Sequence, residues 1–273
     1  MSTLYIVATP IGNLDDISAR AAEVLAAVDM IACEDTRRTG QLLKHLSVST
    51  RMMALHDHNE EQLSSGLIEA MTEGQSVALV SDAGTPLISD PGYHLVRLCH
   101  SAGISVVPVP GPSAVMAALS AAGIPTDRFT FEGFVPAKKN ARQNYFRALK
   151  SEPRTMVMFE APHRIEESLR SLVQEMGGDR VMTVCRELTK TYEQIIQAPI
   201  DELLNQVVTG EIPAKGEFAL VMSGSPDAVV QDVDQLLAAL LQELSPSKAA
   251  AVAATLTDHP KSVLYERALA LKN

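Results

Sequence analysis

Residues 77–98 read VALVSDAGTPLISDPGYHLVRL. The run Val77 to Val80 is apolar, β-prone and of strand length. The segment HLVRL restores the apolar spacing of a helix. Between them stand Asp82, Gly84, Pro86, Asp90, Pro91 and Gly92, far more than one tight turn needs. Strand, loop and helix in that order form the repeating block of an α/β sheet. A long polar loop at the carboxyl end of such a strand is where open sheets hold ligands. A generous surface loop is the plainer reading, and the rest of the chain decides between them.

Four more apolar runs flank this one in the first half: TLYIVAT, MIACE, RMMALHD and ISVVPVP. Helical segments of about a dozen residues separate them, such as ISARAAEVLAAV, TRRTGQLLKHL and PSAVMAALSAAG. This alternation predicts an α/β domain with a largely parallel sheet over residues 1–123. Residues 124–224 predict a second α/β domain. Its strands are RFTFEGF, TMVMFEA, RVMTVCREL and GEFALVMSG, with helices around 138–150, 162–176 and 199–209. From 225 to 273 the chain turns Ala/Leu-rich and helical, with Ser245-Pro246 placed as a helix start. That tail predicts a small helical C-terminal domain.

The chain has 273 residues, 46% of them apolar, and a net charge of −10. An acidic protein is not a generic nucleic-acid binder. One segment runs against the total: Lys138, Lys139, Arg142, Arg147, Lys150 and Arg154 face only Glu152, an excess of five positive charges. A solvated helix face and an RNA-facing surface both fit that pattern. Cys33, Cys99 and Cys185 are far apart, with no C-x-x-C spacing. This predicts a reducing cytoplasmic location and no zinc site. His56-Asp57-His58 has no further ligand cluster near it, so no metal is expected. No apolar run approaches the roughly 20 residues of a membrane span. The first residues, MSTLYIVATP, lack a basic leader region and read as a strand, not a signal peptide.

All five loops after the first-half strands are polar or rich in Gly and Pro: TPIGNLDD, EDTRR, HDHN, SDAGTP and PGPS. The sequence has no G-x-G-x-x-G after the first strand, no Walker A motif and no G-x-S-x-G elbow. A small ligand held by loops remains.

Seven stretches, VATPIGNLDDI, EDTRRTGQLL, SDAGTPLISDPG, PGPSA, FEGFVP, FEAPHRI and CRELTKTYE, occur in order from Val7 to Glu193. Together they resemble the ribosomal RNA small-subunit methyltransferase I family, one branch of the tetrapyrrole-methylase superfamily. The resemblance implies a two-domain tetrapyrrole-methylase-like α/β fold with S-adenosylmethionine in a cleft between domains, plus the helical tail. It implies a homodimer and 2′-O-methylation of a cytidine ribose in the decoding region of 16S rRNA, within the small ribosomal subunit. Superfamily cofactor contacts carry over onto Pro10, Asp82, Thr85, Ser113, Ala114, Phe159 and Ala219. The first loop, ATPIGN, departs from the glycine- and acid-bearing loop of tetrapyrrole-making branches, against a porphyrin-like substrate. Glu34, Asp35, Glu160, His163, Glu187 and Lys190 are candidates for the group that touches the acceptor hydroxyl. Arg37, Arg38, Arg164 and Arg186 suit phosphate contacts, and Lys138, Lys139 and Arg142 an RNA-facing surface. A small-molecule methylase of the same fold and a non-catalytic RNA-binding protein are the alternatives.

Overall fold

The computed structural model describes residues 3–56, 59–225, 227–257 and 259–272. Asp57 and His58 of the H-x-H pattern lie outside the described residues. Five strands, β1 (Thr3–Val7), β2 (Met30–Cys33), β3 (Met52–Ala54), β4 (Val77–Val80) and β5 (Ser105–Val109), form a sheet of order β3-β2-β4-β1-β5. Every pairing in it is parallel. Helices α1 (Ala19–Ala27), α2 (Thr36–His45), α3 (Glu60–Thr72), α4 (Tyr93–Ser101) and α5 (Ala114–Ala121) complete this half.

The strands are apolar throughout because both faces are covered. Successive residues alternate between two cores, as the period of two demands. Leu4, Ala32 and Leu79 join one cluster with α3 and α4, while Val7, Ile31, Cys33 and Val80 join another with α1 and α2.

The second sheet has order β6-β7-β10-β8-β9, built from β6 (Phe129–Phe134), β7 (Thr155–Glu160), β8 (Val181–Arg186), β9 (Gln194–Pro199) and β10 (Phe218–Met222). Only β6 and β7 pair in parallel. The pairings β7/β10, β10/β8 and β8/β9 are antiparallel. Helices α6 (Lys139–Ala148), α7 (Ile165–Met176) and α8 (Ile200–Thr209) supply residues to the core on one face, with Met156, Met158, Val184 and Leu220. The other face carries Val157, Cys185, Ala219 and Val221, and α5 packs there through Val115, Ala118 and Leu119. The last helix of the first half therefore seals the second sheet and sets its own N-terminus beside the first sheet's loops.

Helices α9 (Asp227–Leu241), α10 (Pro246–Leu256) and α11 (Lys261–Lys272) enclose a core of Leu237, Ala249, Ala253, Leu264 and Ala268. Ser245 precedes Pro246 at the start of α10, as its sequence predicts. No helix among the described residues is long and apolar enough to cross a membrane.

Candidate active site

The loops after β1, β2, β4 and β5 are tied to one another. Thr9 and Gly84 exchange backbone hydrogen bonds of 2.9 and 3.0 Å, joining the first loop to the SDAGTP loop. Thr85 Oγ1 donates to Pro112 O at 3.2 Å, joining that loop to PGPS. Asp82 Oδ1 accepts from the Asp35 amide at 3.1 Å, and Arg38 lies 3.4 Å from Asp82 Oδ2. The Asp82 amide reaches Glu34 Oε2 at 3.5 Å. In the SDAGTPLISDPG stretch, Leu87 and Ser89 adopt positive φ values of 73° and 67°. Non-glycine residues held there carry strain of about 1–3 kcal/mol each, which concentrates at functional sites. From the second half, Leu188, Thr189 and Lys190 come directly against Gly12. A Cβ built on Gly12 would lie 2.9 Å from Leu188 O, so a bare backbone is needed at this contact.

These loops and the second sheet enclose a cleft of about 500 Å³. Of the expected cofactor contacts, Asp82, Thr85, Ser113, Ala114, Phe159 and Ala219 line it. Pro10 lines a smaller neighbouring pocket that shares Arg38 and Asp82 with the cleft. Sequence reading passed over Ile11, Ile88, Phe134, Leu188 and Glu217, which also line it. The signal is present for four of them, since Ile11, Ile88, Phe134 and Leu188 fall inside the quoted motifs, while Glu217 falls in the GEFALVMSG strand run.

The six catalytic candidates separate. Glu34 and Glu160 line the cleft. Glu160, however, is buried and accepts from Ala161 N at 2.7 Å, from Arg164 Nε at 3.0 Å and from Ser168 Oγ. Its carboxylate is a structural acceptor, and Arg164 is held as its partner at 2.9 Å, not presented to a phosphate. Asp35 caps α2, and hydrogen bonds from the Arg37 side chain and backbone hold its pKa at about 2, so it is a poor base. Arg37 is correspondingly engaged with Asp35 at 2.7 Å. His163 is exposed in the turn before α7 and is not part of the cleft lining.

Glu187 and Lys190 form an ion pair at 2.9 Å, and Glu217 is a second partner of the ammonium at 3.0 Å. Burial favours the neutral amine, but hydrogen bonds to Glu187 and Glu217 outweigh it, and the Lys190 pKa is raised. Burial likewise opposes the Glu187 carboxylate, yet the bonds from Lys190 and the Glu217 amide lower its pKa. The lysine's contribution is complete below its unfolded pKa and is lost as pH rises through the folded value. That of Glu187 holds above its unfolded pKa and is lost as pH falls through the folded value. Across the neutral range both are charged, so Lys190 holds its proton and does not serve as a base. A Lys190→Met variant is therefore expected to keep the shape of the pH–rate profile through neutrality. Loss of an inflection there would restore Lys190 as a base.

Like Arg164, Arg142 and Arg186 are held inside the fold and do not form an RNA-facing surface. Arg142 is 2% exposed and donates to Ser171 Oγ at 3.1 Å, Ala137 O at 3.3 Å and Glu167 Oε2 at 3.0 Å, inside the second half. Arg186 is buried and donates to Lys215 O, Tyr192 O and Gln194 Oε1, pinning the loops on either side of it. Neither faces solvent. Arg147 and Arg154 are paired with Glu175 and Glu152. Lys138, Lys139 and Lys150 are the exposed cations left in the 136–154 stretch, a thinner basic face than the count of charges suggests. No group of three or more potential metal-ligating residues occurs among the described residues.

Residues 3–204 match the family model of the Tetrapyrrole (Corrin/Porphyrin) Methylases, the class that these two sheets and their shared cleft define. Residues 227–272 match the RsmI C-terminal HTH domain. Among solved structures, a diphthine synthase aligns with a TM-score of 0.63 at 18% identity, covering 81% of this chain and 90% of its own. A uroporphyrin-III-C-methyltransferase from Thermus thermophilus aligns with a TM-score of 0.58 at 19% identity, covering 82% and 94%. At such identities the likeness concerns the fold alone. A protein from Escherichia coli O157:H7 named ribosomal RNA small subunit methyltransferase I is 52% identical over 97% of this chain and 94% of its own length. Its namesake from Vibrio cholerae is 51% identical over 96% and 93%, and that from Pseudomonas aeruginosa 47% over 98% and 96%. The chain belongs to the ribosomal RNA small subunit methyltransferase I family.

Proposed function

We propose that this chain transfers a methyl group from S-adenosylmethionine to the ribose 2′-hydroxyl of a cytidine in the decoding region of 16S rRNA. The observation that carries the reading is the cleft, whose walls come from both halves and whose lining combines carboxylates and hydroxyls with an apolar side. Those groups fit the cofactor. The hydroxyls of Thr85 and Ser113 and the carboxylate of Asp82 suit a ribose diol and an ammonium. Ile11, Phe159 and Ala219 offer the apolar wall an adenine needs. When bound, the cofactor supplies an electrophilic methyl on a sulfonium. The chain's own task is alignment, which can contribute about 7–11 kcal/mol in such a displacement, and acceptance of the hydroxyl proton, worth about 10²–10⁴-fold. Glu34, a cleft-facing carboxylate, is the member of the candidate set suited to that second role.

The RNA would be met by Arg38 at the cleft and by Lys138 and Lys139 at the start of α6. Reversing both lysines to glutamate is expected to weaken RNA binding and lower the slope of log affinity against log salt by at least about 1.4, at about 0.7 per charge on a single strand. Cofactor affinity should not change, and unaltered RNA binding would remove these lysines from the interface. Action on the assembled small subunit, a homodimeric state and a cytoplasmic setting belong to the same proposal.

The test is transfer of labelled methyl to naked 16S rRNA, to small ribosomal subunits and to a tetrapyrrole precursor in parallel, with the labelled nucleotide mapped. Label on a cytidine ribose supports the reading. Label confined to the tetrapyrrole, or none on any RNA, overturns it.

A further inference from the structure

Phe134 is 59% exposed and lines the cleft beside Phe159. Other aromatic residues are exposed, Tyr93 and Tyr192 among them, but among the described residues Phe134 is the exposed aromatic in the cleft lining. Leaving most of a phenylalanine in water forgoes part of the free energy its burial would give. A lone exposed apolar side chain is ordinary on a protein surface. Here the backbone is shaped to produce it. The register of β6 against β7 shifts between Phe131 and Phe134, and Gly133 takes a φ of +69° within that irregularity. Such a bulge re-aims the side chain that follows it. A glycine at that φ carries no strain, whereas a larger residue would.

The ring is also held. Its centroid lies 5.4 Å from that of Phe159 at 63°, and Phe159 is braced in turn by Phe131 at 5.0 Å and 63°. Ile88 and Ser89 of the strained loop line the same cleft, with the Ser89 hydroxyl 3.8 Å from where a Cβ on Gly133 would sit. The result is an exposed aromatic ring in the cleft lining, held by an edge-to-face contact with Phe159.

We propose that Phe134 is the platform on which the base of the acceptor nucleoside stacks, a substrate-positioning residue that holds an unstacked pyrimidine while its ribose reaches into the cleft. This rests on the RNA reading above. Proteins that act on single-stranded or splayed RNA hold bases on aromatic faces, because every base offers a π-surface there.

The experiment compares Phe134→Ala, Phe134→Leu and Phe134→Tyr on whichever RNA substrate the wild-type chain labels. Alongside it, S-adenosylmethionine affinity is measured by calorimetry. The alanine and leucine variants should lose about 10- to 100-fold in kcat/KM for RNA, from the usual strength of base–aromatic stacking. Tyrosine should restore most of it, and cofactor Kd should stay within about twofold for all three, because the platform holds the other reactant. A parallel fall in cofactor affinity would assign Phe134 to the adenine wall and overturn the proposal. Full activity in the leucine variant would overturn it too, since bulk without a π-face would then suffice. If the wild-type chain labels RNA and Phe134→Ala does so equally well, the inference fails and the RNA reading survives. If the wild-type chain labels no RNA, both fall together.

Discussion

Replacing Glu160 with alanine is expected to destabilise the protein by about 3–5 kcal/mol, the range seen when one partner of a buried ion pair is removed. The side chain is fully buried at the end of β7 and ties three groups: the Ala161 amide, the Arg164 guanidinium and the Ser168 hydroxyl. Truncation leaves the serine hydroxyl without an acceptor in the core and a cation only one-fifth exposed without its counter-charge. Each deficit costs on its own. Glu160→Gln keeps an acceptor but not the charge, so it should lose less. Urea denaturation monitored in the second half checks this. The same experiment decides what Glu160 is for. If the alanine variant keeps native stability yet loses a limb of the pH–rate profile, Glu160 is a proton acceptor after all.

This residue shows where sequence reading stops. A carboxylate at a strand end before Pro162-His163-Arg164 is visible in the sequence, and an i,i+4 pairing with Arg164 is a natural alternative to catalysis. Which prevails depends on Ser168, whose hydroxyl reaches back from the first turns of α7. Arg142 was more legible than its assignment to an RNA surface allowed. It stands four residues before Phe146, a core residue, so helical periodicity puts both on the inward face of α6. Its charge drew attention, and its position was the better guide. Strand β9 gives a weak sequence signal, because Gln194-Ile195-Ile196-Gln197 places two isoleucines side by side. An edge strand with one exposed face needs no stricter pattern.

The parallel sheet was readable for the opposite reason. Its strands are buried on both faces, so they appear as unbroken apolar runs, and each must exit through a loop at the same end. Loop chemistry that converges on one ligand is therefore local in sequence. Glu217 and Leu188 enter the same cleft from the second half, where mixed strand directions scatter the loops and weaken the pattern. The bulge at Gly133 had no sequence signal beyond the glycine itself.

Asp82 carries the second large effect. Its carboxylate accepts the Asp35 amide and faces Arg38, its amide reaches Glu34, and it lines both the cleft and the smaller pocket beside it. It is therefore the junction of the loops after β2 and β4. An Asp82→Ala variant should weaken S-adenosylmethionine binding by about 10- to 100-fold, since a hydrogen bond to a charged group contributes about 1.5–3 kcal/mol. Overall stability should fall by only about 1 kcal/mol, because this partly exposed site, open to the cleft, lets water replace the lost acceptor. Asp82→Asn retains an oxygen for the Asp35 amide and loses the charge beside Arg38, so its affinity should lie between the two. Calorimetry with S-adenosylmethionine and with the neutral thioether product separates the two ways a carboxylate can act. If Asp82 fixes the loops or holds the ribose or ammonium that both ligands carry, both lose affinity equally, which is the expected result. A loss confined to the sulfonium would mean the charge is sensed directly. Unchanged affinity for both would take Asp82, and with it the loop that decides the fold, out of the binding site.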